Sequence, residues 1–113
     1  MARPTNDVLG GTLDLLILKA LSWGPAHGFA VARWIEEATE DALGVGEGTL
    51  YPALHRLEER GLVTASWGAS ENNRRAKFYA LTADGRARLR AEMKNWRRYA
   101  TAVMDALDSH AGP

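Results

Sequence analysis

The segment Gly48-Thr-Leu-Tyr-Pro-Ala-Leu-His-Arg-Leu-Glu-Glu-Arg-Gly-Leu-Val63 leaves few options beyond a short amphipathic helix that stops abruptly and runs into a strand. Proline lacks an N–H and its ring clashes with the carbonyl four residues back, so Pro52 belongs in a first turn. The helix is therefore expected to begin near Gly46 to Gly48. Leu50, Leu54 and Leu57 share one face at helical spacing. Gly61 supplies a stop, and Leu62-Val63 open a β-type run. Opposite the leucines lie Gly48, Pro52, His55, Arg56 and Glu59, flanked by Thr49 and Tyr51. A polar, partly cationic face on a short helix suits the reading of a DNA major groove; an ordinary solvated surface helix is the competing reading of this segment alone.

The residues C-terminal to this helix decide between the two. Leu62 to Trp67 alternates as a strand, and Lys77-Phe-Tyr-Ala-Leu81 does so again. The intervening Gly68-Ala-Ser-Glu-Asn-Asn-Arg-Arg-Ala76 is a polar loop rich in turn formers. Helix, strand, basic-tipped loop and strand predict a winged helix-turn-helix, with the loop as wing and Arg74, Arg75 and Lys77 on or beside phosphate. The commoner role of an Arg-Arg pair is a solvated turn, but its place directly after a candidate recognition helix favours DNA.

The same residues resemble the signature of PadR-type transcriptional regulators. The resemblance is carried by Gly48 to Leu62, by Leu13-Asp-Leu-Leu-Ile-Leu18, by Gly24-Pro-Ala-His-Gly28 and by Arg75-Ala-Lys-Phe-Tyr-Ala-Leu-Thr-Ala-Asp-Gly85. It runs from about Leu9 to Leu107 in the family's order and spacing. It implies a winged-helix DNA-binding dimer that usually represses transcription and is often relieved by a small ligand. A single C-terminal helix resembles the family's smaller subfamily. Where the family often carries Tyr after His-Gly, this sequence has Phe29, which loses a hydroxyl but keeps the packing volume.

A chain of 113 residues, 46% hydrophobic and 25% charged, fits one soluble globular domain. It contains no cysteine, which excludes disulfides, thiolate metal sites and a cysteine nucleophile. The longest apolar run, Leu13 to Leu21, is interrupted by Asp14 and Lys19 and is too short to span a bilayer. The first residues lack an apolar signal core, so a cytoplasmic protein without membrane association is expected. Net charge is zero, yet it is unevenly spread. Residues 74–98 hold nine Lys/Arg against two acids, a local +7, whereas residues 36–41 hold four acids and no base, a local −4. Such a chain has a positive side able to meet phosphate, while its neutral total limits non-specific binding.

Helix 1 is expected from Leu9 to Leu21, apolar on most sides and therefore buried on most sides. Ser22-Trp-Gly-Pro25 breaks the chain, and helix 2 is expected from about His27 to Thr39, with Val31, Trp34, Ile35 and Ala38 inward. His27 fits a capping or packing role. A glycine-punctuated connection through Ala42 to Gly46 leads into helix 3. Thr82 is a plausible N-cap for helix 4, which runs to about Asp108. Leu89, Met93, Trp96, Ala100, Val103 and Leu107 form a heptad stripe along it. Packing onto the chain's own core is the usual fate of such a stripe. A helix this long outruns a winged-helix core, however, so its distal half points to a homodimer seam. The fold expected is mainly α with a small β-hairpin. Residues 1–82 would be the winged helix-turn-helix DNA-binding domain, and residues 83–113 the dimerisation helix with a short tail.

No catalytic constellation is legible. His27, His55 and His110 show no metal-ligand spacing, Gly44-Val-Gly-Glu-Gly48 lacks the context of a phosphate loop, and the adjacent Glu pairs point to different sides of a helix. No metal, cofactor or enzymatic activity is expected. Trp96, midway along the stripe with Met93 one turn before it, either fills the seam or faces its mate across a gap fit for a planar apolar or aromatic effector. Filling the seam is the favoured reading of the residue itself; the resemblance points to the second, since in some multidrug-responsive family members a Trp at the matching place stacks on aromatic drugs. The leading function is a sequence-specific repressor that binds double-stranded DNA as a homodimer. A winged helix used only for protein–protein assembly is the alternative, and RNA binding is disfavoured by the lack of stacking aromatics on a sheet.

Overall fold

The computed structural model describes residues 11–113 and the backbone of Asn6–Asp7. In chain order the elements are β1 (Asn6–Asp7), α1 (Leu13–Leu21), β2 (Ala26–His27), α2 (Gly28–Ala38), β3 (Leu43–Gly44), α3 (Glu47–Glu59), β4 (Val63–Ala69), β5 (Arg75–Leu81) and α4 (Ala83–Leu107). This is a winged helix-turn-helix followed by one long helix, the fold class the sequence predicts. Three helices enclose the core around Ile17, Leu18, Leu21, Val31, Ile35, Leu50, Leu54 and Leu57, each essentially inaccessible to solvent. Each such side chain contributes about 1.5–3 kcal/mol on burial, which makes this cluster the main source of stability.

The hairpin of β4 and β5 pairs Val63 with Leu81 and Ala69 with Arg75. It is longer than the sequence pattern predicts, and the loop shrinks to the residues around Glu71–Asn73. The Asn73 N–H donates to the Ser70 carbonyl, Asn73 adopts a positive φ of 56°, and the Ser70 N–H donates to the Arg74 carbonyl. A tight turn followed by a left-handed Asn is a standard way to close a short hairpin loop. Two features are absent from the sequence reading. Ala26–His27 adds a third, antiparallel strand beside Phe78 and Tyr79, and Leu43–Gly44 pairs in parallel with Asn6–Asp7.

Helix 1 starts at Leu13; Leu9, assigned to it from the sequence, lies outside the described residues. The expectation for Ala38 is corrected, since it is exposed. The last turn of α2 has run past the core by that point. Helix 2 otherwise follows expectation, with His27 as its N-cap: the Ala30 N–H donates to His27 Nδ1 at 3.2 Å.

The end of α3 is fixed by backbone geometry. Gly61 takes a φ of +74°, the Gly61 N–H donates to the Glu58 carbonyl, and the Leu62 N–H donates to the Leu57 carbonyl. This pair of bonds satisfies the helix's orphan carbonyls while Leu57 and Leu62 are both buried at the turn. The same turn anchors α4. The Thr82 N–H donates to the Leu62 carbonyl. The Thr82 hydroxyl donates to the Gly61 carbonyl at 2.7 Å and accepts from the Gly85 N–H at 3.0 Å. Gly85 is buried against Leu62, and a Cβ there would overlap the Leu62 carbonyl oxygen.

Gly85→Ala should therefore destabilise the protein by about 2–4 kcal/mol, well beyond the helix-propensity gain of alanine. Thermal unfolding at fixed protein concentration measures it, and an unchanged or raised midpoint would show that α4 is not held by this contact.

Candidate nucleic-acid interface

Helix α3 begins after Gly46, with Glu47 in its first turn, where a carboxylate favours the positive end of the helix dipole. The helix starts where the sequence reading puts it, which makes Pro52 its sixth residue, in the second turn. Its missing N–H removes the in-helix donor for the Gly48 carbonyl. Both residues lie on the exposed face, where water serves that carbonyl.

The inward side is Leu50, Ala53, Leu54 and Leu57, so Gly48, Pro52, His55 and Glu59 face outward. One flank turns to the wing. There the Tyr51 ring lies across Gly28, the first residue of α2, so closely that a Cβ on Gly28 would meet its Cε1 at 2.7 Å. Below it, Glu58 Oε1 receives Lys77 Nζ at 3.5 Å. The other flank turns to α1, where Asp14 takes Arg56 at 3.7 Å and Arg60 at 3.6 Å. On the outward face His55 Nε2 sits 2.7 Å from Glu59 Oε1.

All eight sequence-predicted residues lie on α3 or the wing, but their surroundings differ. Thr49, Tyr51, Pro52, His55 and Arg56 are exposed on α3, and Arg74 and Arg75 are exposed on the wing. Lys77 is half-buried, committed to Glu58 and poised over the Tyr79 ring at 5.6 Å. Burial pushes the Tyr79 phenol above the usual tyrosine range; Lys77 offsets this in part, while Glu58 and Tyr51 add to it. Arg75 stacks on Trp67, its guanidinium carbon 4.4 Å from the ring centroid. The Arg74 side chain has no ion-pair or ring partner among the described residues. Between α2, Tyr51 and the wing runs an open cleft of about 470 Å³, lined in part by Phe29, Tyr51, Trp67, Arg74, Arg75 and Lys77.

The α4 stripe divides in two. Leu89 is buried and Met93 packs against the core. Beyond them Trp96, Tyr99, Val103, Met104 and Leu107 are exposed. Tyr99 and Met104, which the heptad pattern does not include, flank the stripe and widen it, and Trp96 and Tyr99 lie 5.9 Å apart as tilted rings. Among the described residues no cluster of His, Cys, Asp and Glu could hold a metal ion. No helix among them is long and apolar enough to cross a membrane.

Sequence reasoning also misses Gly28, Asp14 and Trp67. Trp67 is legible as a strand residue two places from Ala65 on the same face, and its exposed ring on β4 corrects the expectation that the sheet carries no stacking aromatic. Gly28 and Asp14 give no signal, because their roles depend on which helices meet.

A short recognition-type helix, a basic wing and a projecting helix with an uncovered apolar side have counterparts in known proteins. Residues 17–91 match the transcriptional regulator PadR-like family, and the chain belongs to that family. It is 32% identical over 80 residues to transcriptional regulator Rv3488 of Mycobacterium tuberculosis, spanning 70% of this chain and 74% of that protein. It is 35% identical over 75 residues to transcriptional regulator YqjI of Escherichia coli, spanning 66% of this chain but only 34% of that longer protein. Among solved structures, a PadR family transcription regulator from Clostridium difficile R20291 superposes with a TM-score of 0.73 at 30% identity. That match covers 88% of this chain and 100% of the other. The protein is thus a transcriptional regulator of the PadR family, a class that binds DNA.

The Tyr51–Gly28 contact predicts a non-additive pair. Gly28→Ala should cost about 1–3 kcal/mol by displacing the Tyr51 ring, and the cost should vanish in a Tyr51→Ala background, as chemical denaturation of the four proteins would show. Equal penalties in both backgrounds would mean that the ring is free to move aside.

Proposed function

We propose that two copies of the chain pair through α4 and repress transcription by setting the α3 helix of each copy in the major groove of operator DNA. A small apolar or aromatic effector then relieves repression by entering between the paired α4 helices. The reading is supported by the distribution of surface chemistry: the outward side of α3 and the wing are polar and cationic, whereas the distal half of α4 is apolar and uncovered. Residues 1–82 act as the DNA-binding unit and residues 83–113 as the dimerisation unit. A cytoplasmic location accords with the role.

Thr49, Tyr51, Pro52, His55 and Arg56 meet the groove, with Arg56 on guanine or on phosphate. Arg74 and Arg75 meet phosphate. Lys77 contributes less, because Glu58 already holds it. Trp96, Ala100, Val103 and Leu107 build the seam, with Met93 at its inner end; Leu89, which the heptad pattern also puts there, is committed to the chain's own core instead. At about 37 Å for 25 residues, α4 extends well beyond the core its first turns join. Several large apolar side chains at about 1.5–3 kcal/mol each offset the entropy of association. Trp96, 41% exposed, and Met93 line the space where the two copies meet, and a flat ligand inserted there would change the angle between the stalks.

The double substitution Val103→Glu with Leu107→Glu should give folded monomers that bind duplex DNA very weakly, read by sedimentation and by anisotropy. In the intact dimer, Arg74→Ala should lower the salt dependence of binding by about one unit per copy without changing sequence preference. A double mutant that sediments as a dimer would remove α4 as the seam. A dimer without salt-dependent DNA binding would favour the protein–protein assembly reading.

A further inference from the structure

Trp67 is a large apolar residue for which the fold has no packing role. It stands on β4, 60% exposed, and is absent from the hydrophobic core and from the side chains packed against it. The opposite face of the hairpin is closed without it: Phe78 lies against Gly68 and meets the edge of His27 at 5.6 Å. Among the described residues, the ring contact of Trp67 is with Arg75. In the β4–β5 register Trp67 pairs with Lys77 and Ala69 with Arg75, which makes Trp67 and Arg75 diagonal neighbours on one face, within reach of long side chains. The guanidinium carbon is 4.4 Å from the indole centroid.

The two ways this surface holds a cation differ in consequence. Asp14 holds Arg56, and Glu58 holds Lys77, with a carboxylate that a phosphate must displace. An indole face orients a guanidinium through its quadrupole and leaves the charge and the donors free. Arg75 is therefore ordered without being neutralised. It opens onto the cleft beside α3, with exposed Phe29 and Tyr51 on the far wall and Arg74 alongside. The paired charges of Arg74 and Arg75 on the wing side of the cleft suit a phosphodiester strand.

We propose that Trp67 is a positioning residue for DNA binding: its indole holds the Arg75 guanidinium ready in the cleft, so that Arg75 reaches a backbone phosphate with little further ordering. The proposal rests on the DNA-binding reading given above.

The test is a double-mutant cycle on the full chain, measuring anisotropy of a fluorescein-labelled mixed-sequence duplex across a salt series. Arg75→Ala should lower the salt slope by about one unit per copy. Trp67→Ala should weaken binding roughly two- to fivefold with the slope kept, and should do nothing further in the Arg75→Ala background. Trp67→Phe should restore most of the loss. In the free protein, the Arg75 Nε–H resonance should carry a ring-current shift that Trp67→Ala abolishes, while the melting temperature stays unchanged.

A harmless Trp67→Ala beside a damaging Arg75→Ala would overturn the proposal and leave the DNA-binding reading intact. An equal loss from Trp67→Ala with and without Arg75 would overturn it too, by showing that the ring touches DNA itself. If the wild-type chain shows no salt-dependent binding, the underlying reading fails together with the proposal.

Discussion

The absence of a side chain at Gly85 is the constraint on which the architecture turns. Because nothing projects from Gly85, the first turn of α4 closes onto the Leu62 carbonyl. Thr82 then bonds to Gly61, to Leu62 and to Gly85. Leu62 is also the residue that ends α3, through its bond to Leu57. The C-terminus of the proposed recognition helix and the N-terminus of the proposed dimer stalk, far apart along the chain, are thus tied by hydrogen bonds among Gly61, Leu62 and Thr82. A tilt imposed on α4 is delivered to α3 at close range, without a flexible linker to absorb it. That is the physical basis on which the proposed ligand between stalks would alter the placement of α3.

Charge on the proposed DNA-facing side is arranged in grades. Arg56 and Lys77 are tied to carboxylates on or beside α3, and His55 sits against Glu59. Such exposed pairs are worth little to stability, about 0–1 kcal/mol each. The effect of the Arg56 and Lys77 pairs is to make each of these two cations exchange one anionic partner for another on meeting a phosphate. Arg74 and Arg75 face no such exchange. A surface of this kind binds arbitrary DNA weakly and rewards a duplex whose geometry suits several exchanges at once, which agrees with a net charge of zero.

Much of this architecture is written in local pattern. Gly61 as a helix stop, Thr82 as an N-cap, the leucines of α3 and the existence of the two wing strands depend on neighbours within a few residues, and the structure agrees with each, although burial alternates only over Val63 to Ser66. The capping role of His27 is of the same kind. The features that escape the sequence depend on which elements meet. Ala26–His27 is too short to announce itself as a strand and becomes one only because the edge of β5 is adjacent. Gly28 looks like any helix-start glycine until Tyr51 is laid across it. Pro52 stands in the second turn of α3, where exposure of the Gly48 carbonyl offsets the lost hydrogen bond but not the crowding by the ring. Tyr99 and Met104 fall outside a strict heptad, and their exposure shows that the apolar side of α4 is broader than a two-position stripe.

The central claim is that one functional unit presents two α3 helices, joined through their α4 stalks, to one face of a duplex. Selection of duplexes from a random pool by the intact protein tests it most directly. The account predicts an enriched inverted repeat whose half-site centres lie about 10–10.5 base pairs apart, or a multiple of that spacing. A single unrepeated motif, or half-sites at a spacing that puts them on opposite faces of the duplex, would contradict it.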